Sequence, residues 1–532
     1  MKRFTNTGTL FTFALRRDRF FLPCWIIGIV LLAVLCAPLF TQVASSPEEL
    51  AMYAETMKNP AMTALCGPLY AEPYTYSIMY TQMMVVWVLI LIAVMNFFLV
   101  SRHTRKDEED GKIEVLRSLP VGRLAILTSA WITTILTNLI VGISCAVGLI
   151  LIGVETMTAV GCILLGVIFF IVGMFFACVA MLFSQICSTS RGMTGGCFIT
   201  LGTLYITAAM GNVDGGVLAY ISPLSIIFKT SPFAENNIVP LFVIIAETLI
   251  IAVIAMQISA SRDLGAGLIP PRRGRAHAAA TLSSPFGLAM RLTMKTCIAW
   301  IIVMFILGVA YGSIFGDMEQ FLSTNEMLQM VLATDDGGSM MTSLVTYITL
   351  IMSLIASIPV INCVMKLRSE EKKNRLEYIY STAVSKLGQF MPYILIAVCL
   401  SVLLQISMAI GMWSMANAVM DVPVSLADMI IAGLVKLPAI WILIGLSVFL
   451  TGLLPKFTAL VWLYFGFSFV QAYLGRMVNL PETFDKISVF SVLPNYPVDE
   501  INAATVITVT AIAIVLCVVG VISYAKRDVR YN

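Results

Sequence analysis

The sequence predicts an all-α polytopic membrane protein of twelve transmembrane helices, built as two parallel six-helix repeats. Three observations predict it. Of the 532 residues, 59% are hydrophobic and only 12% are charged. Apolar runs recur at about 20 residues, the length a helix needs to cross a hydrocarbon core of roughly 30 Å. The second half then repeats the residue pattern of the first. An ordinary soluble domain carries about 25% charged residues, so a water-soluble fold is excluded. The runs are too long and too uniformly apolar to be the alternating strands of a barrel.

The first run, 20–41, follows Lys2 and Arg3 and could pass for a secretory leader. Its apolar stretch exceeds the roughly 7–15 residues of a signal core, and it has a counterpart in the second half, so it reads as a retained helix. Spans near 78–100, 124–152, 157–185, 193–211 and 241–260 complete the first half. The second half offers spans near 297–316, 343–365, 391–418, 428–454, 458–475 and 502–524. Methionines crowd the second and eighth spans, among them Met79, Met83, Met84 and Met95, then Met340, Met341 and Met352. Such side chains adapt to varied apolar ligands. Ordinary helix packing is the plainer account, because apolar residues must fill every span.

Charge excludes several classes. With 33 Lys+Arg against 30 Asp+Glu the net is +3, too balanced for a nucleic-acid binder. Two histidines, His103 and His277, cannot build a histidine metal cluster. No two of the twelve cysteines have CxxC spacing, which removes zinc and thioredoxin-like readings. Cys66 is the one cysteine neither in nor beside an apolar run; it is read as a free buried thiol, with an intermolecular bridge as the alternative. The distribution of charge is more telling. Loops on one side of the spans hold 28 of the 33 basic residues, so both termini are expected in the cytoplasm.

The repeat can be followed residue by residue. Phe11, Ala14, Arg16 and Trp25 match Phe286, Ala289, Arg291 and Trp300 at an offset of 275. Arg105, Asp107, Glu108, Lys112, Glu114, Ser118, Val121, Arg123 and Leu124 match Arg368, Glu370, Glu371, Arg375, Glu377, Ser381, Val384, Lys386 and Leu387 at 263. Six spans per half is an even number, so both halves enter from the same side and the repeat is parallel. The expected organisation is a first six-helix half over 1–263, a connector over 264–285 and a second six-helix half over 286–532.

The repeated segments 104–123 and 367–387 carry alternating charge beside apolar Ile113, Leu116, Leu376 and Ile379. Thr104 stands where a helix N-cap would, with acid in the first turn. Glu108/Lys112 and Glu371/Arg375 have the spacing and order of helix-stabilising pairs. Each segment reads as a short amphipathic helix along the cytoplasmic membrane surface. A charge-rich loop can be merely solvated; two copies with one acid–base order favour a docking surface.

The chain resembles the permease subunits of ABC-2 type ATP-binding cassette exporters, in the twelve-span group of polyketide antibiotic exporters. The residues that carry this are Asn59-Pro60-Ala61 with Gly67-Pro68, and Gly111-Lys112-Ile113-Glu114 leading to Leu119-Pro120-Val121-Gly122-Arg123. Arg262-Asp263-Leu264-Gly265-Ala266-Gly267-Leu268 before Pro270-Pro271-Arg272, Ser284 to Ala289, and Gly452-Leu453-Leu454-Pro455-Lys456 add to it. The resemblance implies an efflux permease of the bacterial plasma membrane that expels hydrophobic or amphipathic compounds. It implies two copies of a separate ATPase, carrying ATP and Mg, that receive Arg105, Glu108, Lys112, Glu114 and Arg123, and Arg368, Glu371, Arg375, Glu377 and Lys386. It also implies a substrate path from spans 2, 5, 8 and 11, for which Met84, Trp87, Tyr205, Tyr347, Met352 and Trp462 are candidates. The second half has Asn374 where a glycine is expected, which bears on whether both elements dock alike.

No G-x-x-x-x-G-K-[ST] occurs in the chain, so a pump of this kind needs its energy from another polypeptide. Glu247 and Lys436 are the charged residues in the interior of the expected spans. They either reach toward the interface or pair to line the exit of a transport path. An ion-coupled secondary efflux transporter is the first rival reading, although midplane carboxylates are not evident. A membrane enzyme is the second, and it lacks a polar cluster at either face.

Overall fold

The computed structural model describes residues 4–43, 47–58, 60–263, 265, 267–269, 277–315, 340–420, 425–474, 487–499 and 501–527. Asn59, Leu264, Ala266, Pro270, Pro271 and Arg272 of the motifs above lie outside the described residues, as do the side chains of Met340 and Met341. Among the described residues there is helix and no strand. Eleven helices among the described residues are long and apolar enough to cross a membrane. The run at 458–475 forms a shorter helix, Leu460–Leu474, whose 15 residues span about 22 Å at 1.5 Å per residue. The chain divides into two compact units, Met1–Gly274 and Arg275–Asn532.

The first unit begins with a short helix, α1 (Thr7–Arg17), and the first span, which opens as α2 (Phe21–Leu35). The second span is α3 (Tyr76–His103), capped by the Thr75 hydroxyl. Two short helices follow, α4 (Arg105–Glu109) and α5 (Lys112–Arg117). Four spans complete the unit: α6 (Ala125–Ile152), α7 (Ala159–Ile186), α8 (Ser190–Asp214) and α9 (Leu241–Ser261). The core forms around α7, which is apolar all round and packs on α3, α6 and α9. Hydrophobicity cannot drive one apolar helix onto another in lipid, so close packing and polar contacts must. At Gly142 and Gly166 the backbones of α6 and α7 touch; a Cβ on either would lie 2.5 Å from the other's carbonyl oxygen. Beside that contact, Asn96 of α3 and Asn138 of α6 exchange two amide hydrogen bonds of 2.9 Å, both fully buried.

The second unit has the spans α10 (Pro285–Gly312), α11 (Met340–Lys372) and α13 (Lys386–Val419), with the short α12 (Leu376–Tyr380) between the last two. Next come α14 (Leu426–Val435) and α15 (Leu437–Leu453), which make one span broken at Lys436 and Pro438. Helices α16 (Leu460–Leu474) and α17 (Ala503–Lys526) follow. Here α10 lies along α13 and α15 along α17. Buried polar ties again join spans: Gln405 Nε2 donates to Ser353 Oγ at 2.8 Å, and Trp441 Nε1 to Ser401 Oγ at 3.1 Å.

The segments expected to be single amphipathic helices are each broken. In the first unit α4 and α5 are separated at Asp110 and Gly111, and Gly111 takes φ +71°. In the second, α11 runs through Lys372 and α12 begins after Asn374, which takes φ +56°. Asn374 is the residue aligned with Gly111. Asparagine is the side chain that best tolerates left-handed backbone, so the departure from glycine keeps the same turn.

Candidate functional site

The break dissolves the pairs that a continuous helix would have made. Glu108 does not meet Lys112, nor Glu371 Arg375, because the left-handed residue between them removes the i,i+4 geometry. Thr104 stands at the N-cap of α4 without capping it; its hydroxyl donates back to Val100 O at 2.6 Å. What replaces those contacts is the same in both units.

In the first unit, Glu108 Oε2 is held by Arg105 Nη1 at 3.0 Å and by Arg262 Nη2 at 3.1 Å. Arg262 is the C-cap of α9, so this carboxylate ties the end of the second span to the end of the sixth. Arg105 Nε donates to Ser184 O at 2.9 Å, in the last turn of α7, where exposed carbonyls favour a cation. Arg123 Nη2 donates to Arg262 O at 2.8 Å. In the second unit, Glu371 is held by Arg368 Nη1 at 2.9 Å and by Arg527 Nη2 at 2.5 Å. Arg527 is the C-cap of α17, and its Nη1 donates to Thr451 O at 3.1 Å, in the last turn of α15. Lys386 Nζ donates to Arg527 O at 2.7 Å. Thus Arg105, Glu108 and Arg123 correspond to Arg368, Glu371 and Lys386, with Arg262 and Arg527 as partners to which sequence reasoning gave no pairing role. The signal was there: each follows directly on the last turn of a span.

The Arg262-Asp263-Leu264-Gly265 stretch has a structural reason. Gly265 N donates to Glu108 Oε1 at 2.6 Å, so the carboxylate receives bonds from Arg105, Arg262 and the backbone beyond the sixth span.

A second ionic cluster surrounds Asp18, whose side chain is fully buried. Arg102 Nε lies 2.7 Å and His103 Nε2 2.5 Å from its oxygens. Arg17 Nη1 reaches Asp107 at 2.5 Å and its Nη2 lies 2.6 Å from His103 Nδ1. Burial pushes the Asp18 carboxyl up, but the His103 bond and the charges of His103, Arg102 and Arg17 outweigh it and hold the group below its ordinary value. Asn6 Nδ2 donates to Pro120 O at 2.8 Å and Gly122 N to Thr5 O at 3.0 Å, so the N-terminal segment lies against this loop.

Outside the clusters lie exposed residues. Lys112 is exposed and bonded to Asp110 at 2.8 Å, with Asp107 at 3.4 Å. Glu114 and Glu377 are exposed, and Arg375 keeps most of its side chain in solvent while bonding Glu370 at 3.2 Å. Val115 and Tyr378 are exposed apolar neighbours, at 68% and 80%.

The candidates within the spans are scattered. Met352 is buried in the core of the second unit, whereas Trp87 is exposed. Met84, Tyr205, Tyr347 and Trp462 are half-buried; Tyr205 donates to Leu65 O at 3.4 Å, and Trp462 meets Phe465 edge-on at 6.0 Å. Glu247 is half-buried, and its Oε2 has no hydrogen-bond partner among the described residues. Lys436, 1% exposed, does not snorkel. It occupies the break between α14 and α15, where its ammonium donates to Asn495 Oδ1 at 2.9 Å, Leu493 O at 3.3 Å and Phe490 O at 3.4 Å. Cys66 is half-buried, and burial pushes its thiol up.

A family model described as the C-terminal domain of multidrug efflux system permease Rv1217c matches residues 8–258 and 282–525. The chain belongs to that permease family. It is 29% identical over 540 residues to the multidrug efflux system permease protein Rv1217c of Mycobacterium tuberculosis, covering 99% of this chain and 96% of that protein. The ionic clusters therefore sit in a membrane permease, at the ends of its spans.

Proposed function

We propose that this permease is the membrane subunit of an ATP-binding cassette exporter of the ABC-2 type, with twelve spans in two parallel repeats and both termini in the cytoplasm. Two copies of a separate ATPase, which bind ATP and Mg, drive it and move hydrophobic or amphipathic compounds outward. The observation that carries the reading is the twice-built clamp. In each unit a buried carboxylate joins the end of the second span to the end of the sixth, directly behind an exposed acid–base face. Lys112 and Glu114, and Arg375 and Glu377, form the faces that dock. Arg105, Glu108 and Arg123, and Arg368, Glu371 and Lys386, pass the displacement into the spans.

A push on such a face reaches two spans together, because the clamp has little freedom to yield. Shifting a two-state transporter from 1:99 to 99:1 takes about 5.5 kcal/mol of differential binding, and the ATPase supplies it. Co-purification tests this: the wild-type chain retains the ATPase, and Glu114→Lys with Glu377→Lys loses it while the permease stays monodisperse. Full transport by the chain alone in proteoliposomes would overturn the proposal.

A second reading, ion-coupled efflux, draws on the half-buried Glu247 and its unpartnered oxygen. Transport that stops with an uncoupler and is abolished by Glu247→Gln, with no ATPase present, would favour it.

A further inference from the structure

The two clamps differ at one edge. In the second unit the space beside the clamp is closed by a tyrosine pair, Tyr380 of α12 and Tyr524 of α17, whose hydroxyls lie 2.9 Å apart. The residues in the same places of the first unit are Arg117, at the repeat offset of 263, and Ser259, three residues before the C-cap arginine as Tyr524 is before Arg527. They do not meet. Between them lies a half-open cavity with about 40 Å³ for water centres, lined by Arg117, Arg123, Arg262, Glu108, Gln185 and Ser259. At roughly 10–15 Å³ per water, this holds about three waters or one phosphate-sized group.

The lining is cationic beyond its own needs. Glu108 is already shared by Arg105 and Arg262. Arg123 spends one bond on Arg262 O, and Arg117 has no carboxylate partner among the described residues. The Arg117 Nε is buried without a hydrogen-bond partner. Burial and then the like charge of Arg123 hold that guanidinium below its ordinary value. The Gln185 amide, 3% exposed, donates from Nε2 to Ser184 Oγ at 2.8 Å. A buried donor without an acceptor, inside a net positive cavity, is the complement of an oxyanion. The cavity opens where α6 begins and α7 and α9 end, which is headgroup level for these spans.

We propose that this cavity of the first unit is a binding site for a phosphate-type oxyanion, with Arg117 and Arg123 as its principal ligands. The bound group neutralises the surplus charge beside the first clamp, as the tyrosine pair makes unnecessary beside the second.

The test is the thermal midpoint of the purified full-length chain in neutral detergent. It is titrated with inorganic phosphate at constant ionic strength, with dioleoylphosphatidylglycerol, and with dioleoylphosphatidylcholine as the uncharged control. Wild type shows a saturable rise with an anionic probe and none with the control. Saturation by phosphate alone identifies a free anion, and saturation by phosphatidylglycerol alone identifies a lipid headgroup; either supports the site. Arg117→Gln weakens half-saturation at least tenfold, and Arg117→Tyr with Ser259→Tyr, which imports the second unit's pair, abolishes it. Arg123→Gln is read instead if Arg117→Gln does not fold, and the exposed Arg191→Gln responds like wild type. No saturable response in wild type, or an unchanged response in the cavity variants, overturns the proposal.

Discussion

Consider the double-mutant cycle across the first clamp, Glu108→Gln and Arg262→Gln singly and together. The Glu108 carboxylate receives guanidinium bonds of 3.0 and 3.1 Å and a backbone N–H at 2.6 Å, and its side chain is 9% exposed. Bonds to a charged group contribute about 1.5–3 kcal/mol each. Desolvation of the ions takes back much of that sum, but removing one partner leaves the others uncompensated. Breaking a buried pair in this way costs about 3–5 kcal/mol. Each single variant is therefore expected to lose about 3 kcal/mol or more. The double variant loses less than the sum, with a coupling of at least about 1.5 kcal/mol, because the second substitution removes a charge the first has already orphaned. Equilibrium unfolding of the permease in detergent measures it, and the Glu371–Arg527 cycle is the internal replicate. Additivity within about 0.5 kcal/mol in both units would mean that the two spans are not tied through these carboxylates, and the clamp argument would fail.

Two further outcomes follow from the same ends of the spans. Asp18→Asn leaves Arg17, Arg102 and His103 without their shared carboxylate and should cost about 3–5 kcal/mol at neutral pH. Because the folded carboxyl lies below its ordinary value of 3.8, this stability is present above that pH and lost as pH falls through the folded value; the wild-type advantage in thermal midpoint should shrink only below about pH 4. At Gly111, with φ +71°, substitution by Asn reproduces what Asn374 does at φ +56° and should change stability little. Gly111→Val should cost about 1–2 kcal/mol for left-handed backbone, and equal melting of the two variants would refute the turn equivalence.

Much of the architecture was legible because lipid is an undemanding reader. Apolar length alone marks a span, and uninterrupted runs such as 124–152 and 157–185 came within a residue or two of α6 and α7. The run at 458–475 likewise brackets the described α16, Leu460–Leu474. Inside the candidate site the pattern was visible and its meaning was not. Arg105, Glu108 and Arg123 and their counterparts stood out as a repeated order of charge, and spacing suggested pairs along one helix. A single residue of positive φ cancels that geometry, and Asn374 disguised the turn in the second half. Lys436 was read as reaching outward or pairing with Glu247 at the exit of a transport path; backbone oxygens of a distant segment, Phe490 and Leu493, receive it instead.

Composition and hydropathy depend on each residue's own transfer energy, so the primary structure alone established a helical membrane protein, the positions of most spans and the crowding of basic residues into one set of loops. Partner choice depends on which chain ends meet in space. That Glu108 belongs to Arg262 across 154 residues, that Glu371 belongs to Arg527 across 156, and that a charged cavity lies beside the clamp of the first unit were decided by the packing of the spans. The physical reason is that a buried charge must find a counter-charge wherever folding brings one, and sequence distance carries no cost once the helices are in place.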